Sequence, residues 1–183
     1  MKIIYIIFAE NIIVMATYKK FIIQQQTFDG SEYTNVGSAV DTYTSFGIVC
    51  SSFPFMHMPE IKDLPKRDWP DEDGEDVFVP SDGIKLSAYD VEGEFLYAGE
   101  VNTMKQNITS FIEFVRGKNS DGSPLLCIYD EYTQTGRRGV YVVDVSTDKY
   151  DYDDKCITAI SVIKVKFRVT DPVYNAELSV SSD

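Results

Sequence analysis

The sharpest pattern in the chain runs from Ile163 to Val169, where Ile163, Val165, Phe167 and Val169 alternate with Lys164, Lys166 and Arg168. A strict period of two puts the apolar set on one face and the three bases on the other, which predicts a half-buried strand and fits no helix. Pro172 closes the run, because proline has no N–H for a ladder and restricts the residue before it. Similar patterning predicts strands over residues 18–28, 46–53, 84–89, 94–99, 125–132 and 140–145, with the last strand spanning 156–169. Asp29-Gly30-Ser31 reads as a turn, the Ser/Thr/Gly-rich stretch up to Tyr43 as a loop, and Tyr150–Asp154 as an acidic turn.

The period changes once. Met104, Ile108, Phe111, Ile112 and Val115 share a face at helical spacing, predicting a helix over about 104–116. Thr103 with Gln106 has the form of a capping box, and Gly117 supplies the stop. A single apolar stripe lays such a helix against a sheet and leaves its other face free. Between Pro54 and Pro80 the chain also carries Pro59, Pro65 and Pro70, which argues against a central strand or long helix there. That stretch reads as a long extended excursion that touches something. The fold class expected is mainly β (α+β): an antiparallel β-sandwich or barrel with one flanking helix.

No repeat, linker or low-complexity block divides the chain, so residues 16–183 read as a single β-rich domain. Residues 1–15 read differently. The run Met1–Ala9 resembles a minimal signal peptide, but Glu10 and Asn11 interrupt it and no small-x-small cleavage site follows. The alternatives are an upstream extension before a true start at Met15, or an added edge strand. The run is too short to span a bilayer.

Composition narrows the function. With 44% hydrophobic residues among 183, wholesale disorder is excluded, and 12 Tyr and 11 Phe against one Trp favour strands. A formal charge of −12 repels duplex DNA and anionic lipid, which argues against sequence-specific nucleic-acid binding and membrane contact. It suits a wall past which DNA slides without sticking. Cys50, Cys127 and Cys156 are odd in number and form no C-x-x-C, and His57 is the single histidine, so a Cys/His zinc site is not expected. Cys127, inside Leu125-Leu126-Cys127-Ile128, reads as a small buried hydrophobe, and synthesis in a reducing cytoplasm fits.

Candidate chemistry is sparse. Asp71-Glu72-Asp73-Gly74-Glu75-Asp76 echoes part of a calcium loop but lacks a third ligand before the glycine and a closing bidentate Glu. A solvated turn with Gly74 at positive φ is the simpler account. Arg137 and Arg138, between Gly136 and Gly139, have no glycine-rich loop or helix N-terminus to make them an anion clamp, and pairing with acids across a subunit boundary suits them better. His57 has no companion, and no Gly-x-Ser-x-Gly elbow occurs. Glu94 with Glu100, or Asp130 with Glu131, are carboxylate pairs whose separation nothing fixes. Trp69, between Asp68 and Pro70, reads as an anchor for the proline-rich excursion rather than a sugar platform. No metal, cofactor or catalytic residue is expected.

Four segments taken in order resemble the distal tail protein family of phages and prophages of Bacteroidetes-type bacteria. They are Tyr43–Ile48, the basic–Trp–acidic run Lys66–Asp76, the sheet–helix unit Phe95–Gly117 and the closing Val165–Pro172, together spanning about residues 43–174. The resemblance implies the β-sandwich with flanking helix shared by tail-tube subunits, tube-terminating proteins and distal tail proteins. It also implies a hexameric ring in the virion tail, assembled in the host cytoplasm, contacting copies of itself and other tail or baseplate proteins, with phage DNA passing through the lumen unbound. It carries no catalytic residues. The acid-rich segments Glu60–Glu100 (13 acids, 4 bases) and Asp144–Asp154 (5 acids, 1 base) suit a lumen wall. A heterologous ring needs two different patches, for which the excursion (Trp69, Asp71, Asp73, Glu75, Asp76) and the Lys164/Lys166/Arg168 face are candidates. The alternatives are a tail-tube or terminator subunit and, from another class, a secreted carbohydrate-binding or adhesin module.

Overall fold

The computed structural model describes residues 3–6, 14–17, 19–54, 59–118, 124–152 and 158–180. In chain order the elements are β1 (Ile3–Ile6), β2 (Val14–Thr17), β3 (Phe21–Phe28), β4 (Tyr33–Asp41), α1 (Thr42–Phe46), β5 (Ile48–Ser52), β6 (Lys66–Asp68) and β7 (Glu75–Val77). They continue with β8 (Tyr89–Glu100), α2 (Val101–Val115), β9 (Leu125–Asp130), β10 (Thr135–Tyr152) and β11 (Thr158–Val169). Seven strands form an antiparallel sheet in the order β4-β3-β9-β10-β11-β8-β5. The pairs β1–β2 and β6–β7 stand apart as two-stranded ribbons. The mainly antiparallel β architecture with a flanking helix is the one the alternation predicts.

A short connection forces the sheet to curl. β4 and β5 lie at opposite edges, yet only α1 and Gly47 join them. Six strand spacings of about 4.8 Å would separate the edges of a flat sheet by roughly 29 Å. A link that is mostly helix, rising about 1.5 Å per residue, spans roughly 10 Å. The sheet therefore folds round until its edges nearly meet. The aromatic contacts agree: Phe21 on β3 and Phe95 on β8, with three strands between them, bring their rings to 5.3 Å in an edge-on contact.

The enclosed core comes from strict alternation. On β11, Ile163, Val165, Phe167 and Val169 are fully buried, while Lys164, Lys166 and Arg168 lie on the outer face. β8 does the same with Tyr89, Val91, Phe95 and Tyr97. α2 inserts Phe111, whose ring meets Phe95 at 5.2 Å and Phe46 at 5.8 Å, and Val115 beside it. Burying each such side chain contributes about 1.5–3 kcal/mol.

Local signals set the helix ends. Asp41 caps α1 by accepting from the Thr44 N–H at 3.2 Å and its hydroxyl at 2.6 Å, and Gly47 ends it at φ 67°. α2 ends in a Schellman arrangement: the Gly117 N–H reaches the Phe114 carbonyl and the Lys118 N–H reaches that of Glu113, with Gly117 at φ 73°.

Several expectations need correction. The predicted loop before Tyr43 is β4 followed by α1, because the β3 edge offers a ladder that local composition does not reveal. Residues 94–99 belong to one continuous β8 that starts at Tyr89, whereas 84–88 contribute only the bridge Ile61–Leu86. Gly93 does not break β8; it makes room for Phe53, whose ring would stand 2.7 Å from a Cβ there. Tyr150–Tyr152 continue β10 instead of turning, and Asp153 and Asp154 lie outside the described residues. α2 begins at Val101 with Glu100 as an N-cap lacking a side-chain bond. The expected capping-box threonine, Thr103, donates to the Glu100 carbonyl instead. Residues 3–6 pair with 14–17 rather than extending the main sheet. His57 and Cys156 lie outside the described residues.

Candidate functional site

The proline-rich excursion is a two-stranded arm. At its base Ser87 donates its N–H to the Glu60 carbonyl and Lys62 to that of Lys85, both at 2.8 Å. Further out Phe78 donates to Pro65 at 2.9 Å, and β6 and β7 complete the ribbon. Gly74, at φ 95°, turns the tip within the acidic run Asp71–Asp76. Trp69 packs within the arm: its indole N–H donates to Asp76 at 3.2 Å, and the Arg67 guanidinium sits 3.5 Å above its ring. That cation covers one face of the ring. Lys66 pairs with Glu75 at 3.2 Å.

The arm is nearly bare. From Glu60 to Lys85 every residue is exposed except Leu64, Trp69 and Pro80, which are half-buried. Five large apolar side chains are among them: Ile61, Val77, Phe78, Val79 and Ile84, with Phe78 67% exposed. Sequence reading named the acids and Trp69 here but missed this apolar set. Its signal was the run Val77-Phe78-Val79 standing between acids and Pro80.

The basic face of β11 is matched by acids. In register, Lys164 faces Glu94, Lys166 faces Glu92 and Arg168 faces Asp90 on β8. On the other side Lys166 faces Asp144 of β10. Asp90 accepts from Arg168 at 2.9 Å and Lys166 at 3.1 Å, and these bonds hold its carboxyl below the usual range. The face reads from sequence as a cationic patch but is a cross-strand charge ladder satisfied at home.

Arg137 and Arg138 diverge. Arg137 donates to the Tyr89 hydroxyl at 3.3 Å. Arg138 lies between Tyr174, 3.8 Å from its ring centre, and Tyr33, 5.2 Å away, and donates to Asp171 at 2.7 Å. Its acid partner thus sits in its own chain rather than across a subunit boundary, because residues 170–176 fold back over β10. Burial pushes the Asp171 carboxyl up. Hydrogen bonds from Arg138 and from the Tyr174 and Val173 N–H groups more than reverse that, leaving it below the usual range. The Asn175 side chain accepts from the Gly136 N–H at 2.8 Å, and the Ala176 N–H returns to the Gly136 carbonyl at 3.3 Å. A cleft of about 340 Å³ beside this strap includes Gln26, Tyr33 and Asn35. Gln26 is occupied by Asn35 at 2.7 Å and the Gly139 N–H at 3.0 Å.

The carboxylate pairs do not converge. Glu94 and Glu100 are six residues apart on one strand, roughly 20 Å at about 3.3 Å per residue, beyond the separation glycoside cleavage uses. Asp130 accepts from the N–H groups of Tyr132 and Thr133, and Glu131 from that of Lys20 at 2.9 Å. Cys127 is 2% exposed and burial lifts its thiol to about 12; burial also raises Cys50. Both therefore stay protonated and unreactive near neutral pH.

No protein-family model matches the chain, and no curated protein does. Among solved structures it is similar to the SPP1 Dit protein (gp 19.1), described as a paradigm of the hub adsorption apparatus in phages that infect Gram-positive bacteria. The TM-score is 0.47 at 14% identity, covering 83% of this chain and 50% of that one. The chain thus spans half the length of that protein.

Proposed function

We propose that this chain is a non-enzymatic structural component of a phage tail, which closes into a ring at the distal end of the tube and holds baseplate parts. The observation that carries the reading is the arm: Ile61, Val77, Phe78, Val79 and Ile84 are held out on a hydrogen-bonded ribbon and are exposed in the single chain. Large apolar side chains left exposed on one acid-rich ribbon suit a protein–protein contact. The four segments that resemble those of distal tail proteins support the reading, as does an acidity that would keep a wall from adhering to passing DNA. A ring of like subunits uses two different patches on each copy.

Native mass spectrometry and negative-stain imaging of the full chain at micromolar concentration test this. A closed ring of fixed copy number, single or paired, is the expected result. Long stacked polymers would make it a tube subunit instead. A monomer at every concentration would overturn the assembly reading.

A further inference from the structure

Charge and exposure name the surface on which the arm docks. We infer that the acidic, apolar arm of one copy lies along the outer face of α2 in the next copy, so that arm-to-helix contacts close the assembly. This rests on the self-assembly reading above.

Outside the arm, β11 and the segment from α2 to Lys118 carry more bases than acids, and folding neutralises the first. β11 carries three bases and no acid, but β8 places Glu94, Glu92 and Asp90 opposite them. α2, its N-cap Glu100 and the turn running on to Lys118 carry Lys105, Arg116 and Lys118 against Glu100 and Glu113, and Glu100 lies on the far side of the helix from the line through Lys105. Lys118 pairs with Glu113, which leaves Lys105 and Arg116 exposed with no ion pair among the described residues. Eleven residues apart, they fall on one line of the helix roughly 16 Å long. Asn102 and Thr109 are exposed on the same stripe, and Met104, Ile108 and Ile112 stay half-buried beside it.

The arm complements this face twice over. Residues 60–85 hold nine acids and four bases, and the tip acids Asp71, Glu72 and Asp73 are exposed. The same ribbon carries Phe78 and Val79, which match the uncovered margin of the helix stripe. A second copy is the occupant that this pairing selects, since each chain offers both halves. Because the halves differ, the contact is heterologous, the kind that builds a ring when the rotation between successive copies closes.

Charge reversal on the full chain tests the assignment by native mass spectrometry. An arm variant (Asp71→Lys, Glu72→Lys, Asp73→Lys) and a helix variant (Lys105→Glu, Arg116→Glu) should each associate at least tenfold more weakly than wild type. A chain carrying both sets should regain assembly. Phe78→Ser with Val79→Ser should weaken association without lowering the melting temperature, because both side chains are already exposed. Rings that persist in both single-set variants, or a combined chain that stays dissociated while melting normally, would overturn the arm-to-helix contact and leave the ring reading standing. A wild-type monomer would overturn the ring reading itself.

Discussion

Gly136→Ala should detach the strap that folds back over β10. A Cβ at this position would stand 2.2 Å from the Ala176 carbonyl oxygen and 2.8 Å from that of Ile128. Both are backbone atoms, so no side-chain rotation relieves the contact. Release of the strap removes the closer clash; the other requires the β9–β10 ladder itself to move, a cost that adds to the losses counted here. What is lost is countable. Two hydrogen bonds to Gly136 contribute about 1 kcal/mol each. The Arg138–Asp171 pair stacked on Tyr174 contributes about another 1 kcal/mol. Alanine returns roughly 0.4–1 kcal/mol by restricting the unfolded chain. The net loss is therefore about 2–3 kcal/mol, which for a chain of this size lowers the melting temperature by about 4–12 °C. Urea denaturation with hydrogen exchange reads both parts: the midpoint falls, and amides 173–176 lose protection while the β8–β11 amides keep theirs. A wild-type midpoint with slow exchange at Ala176 would refute the reasoning.

Two further outcomes follow from the same geometry. Asp171 titrates below its ordinary 3.8 in the folded chain, so its stabilising contribution is complete above that value and disappears as pH falls through the lower, folded pKa. The melting-temperature gap between wild type and Asp171→Asn should be widest near about pH 6 and shrink as pH falls through the lowered, folded pKa; a gap that stays constant down into strong acid would contradict the linkage. Phe111→Ala removes the ring that joins α2 to Phe95 and Phe46, at a cost of about 3–5 kcal/mol in chemical denaturation. A loss under about 1 kcal/mol would mean that α2 is not seated in the core.

How far the sequence discloses this molecule depends on where each strand finds its partners. β11 is legible because its own alternation encodes burial, and α2 because one stripe fits one period. β4 is not, since Asn35 has no strand preference of its own and pairs only because Gln26 of β3 lies beside it, while Gly37 and Ser38 fall in an irregularity of the ladder between Val36 and Val40. Gly93 misleads for a related reason: locally it reads as a break, while in three dimensions it is the slot that Phe53 fills. The surfaces divide the same way. Lys164, Lys166 and Arg168 look like a patch until register supplies their acids, whereas Lys105 and Arg116 attract no notice until everything around them is neutralised. Charge on a strand is a property of the pair, and sequence shows one member at a time.

The α1 connection has a mechanical consequence. Because β4 and β5 are joined through five helical residues and Gly47, and no ladder pairs them, the wall of the curled sheet has a seam. Widening or narrowing the enclosure there breaks no strand-to-strand hydrogen bond, whereas the same change anywhere else along the wall would break several. Pressure applied to either flank is thus relieved at one place, the short helix held at its start by Asp41 and at its end by Gly47.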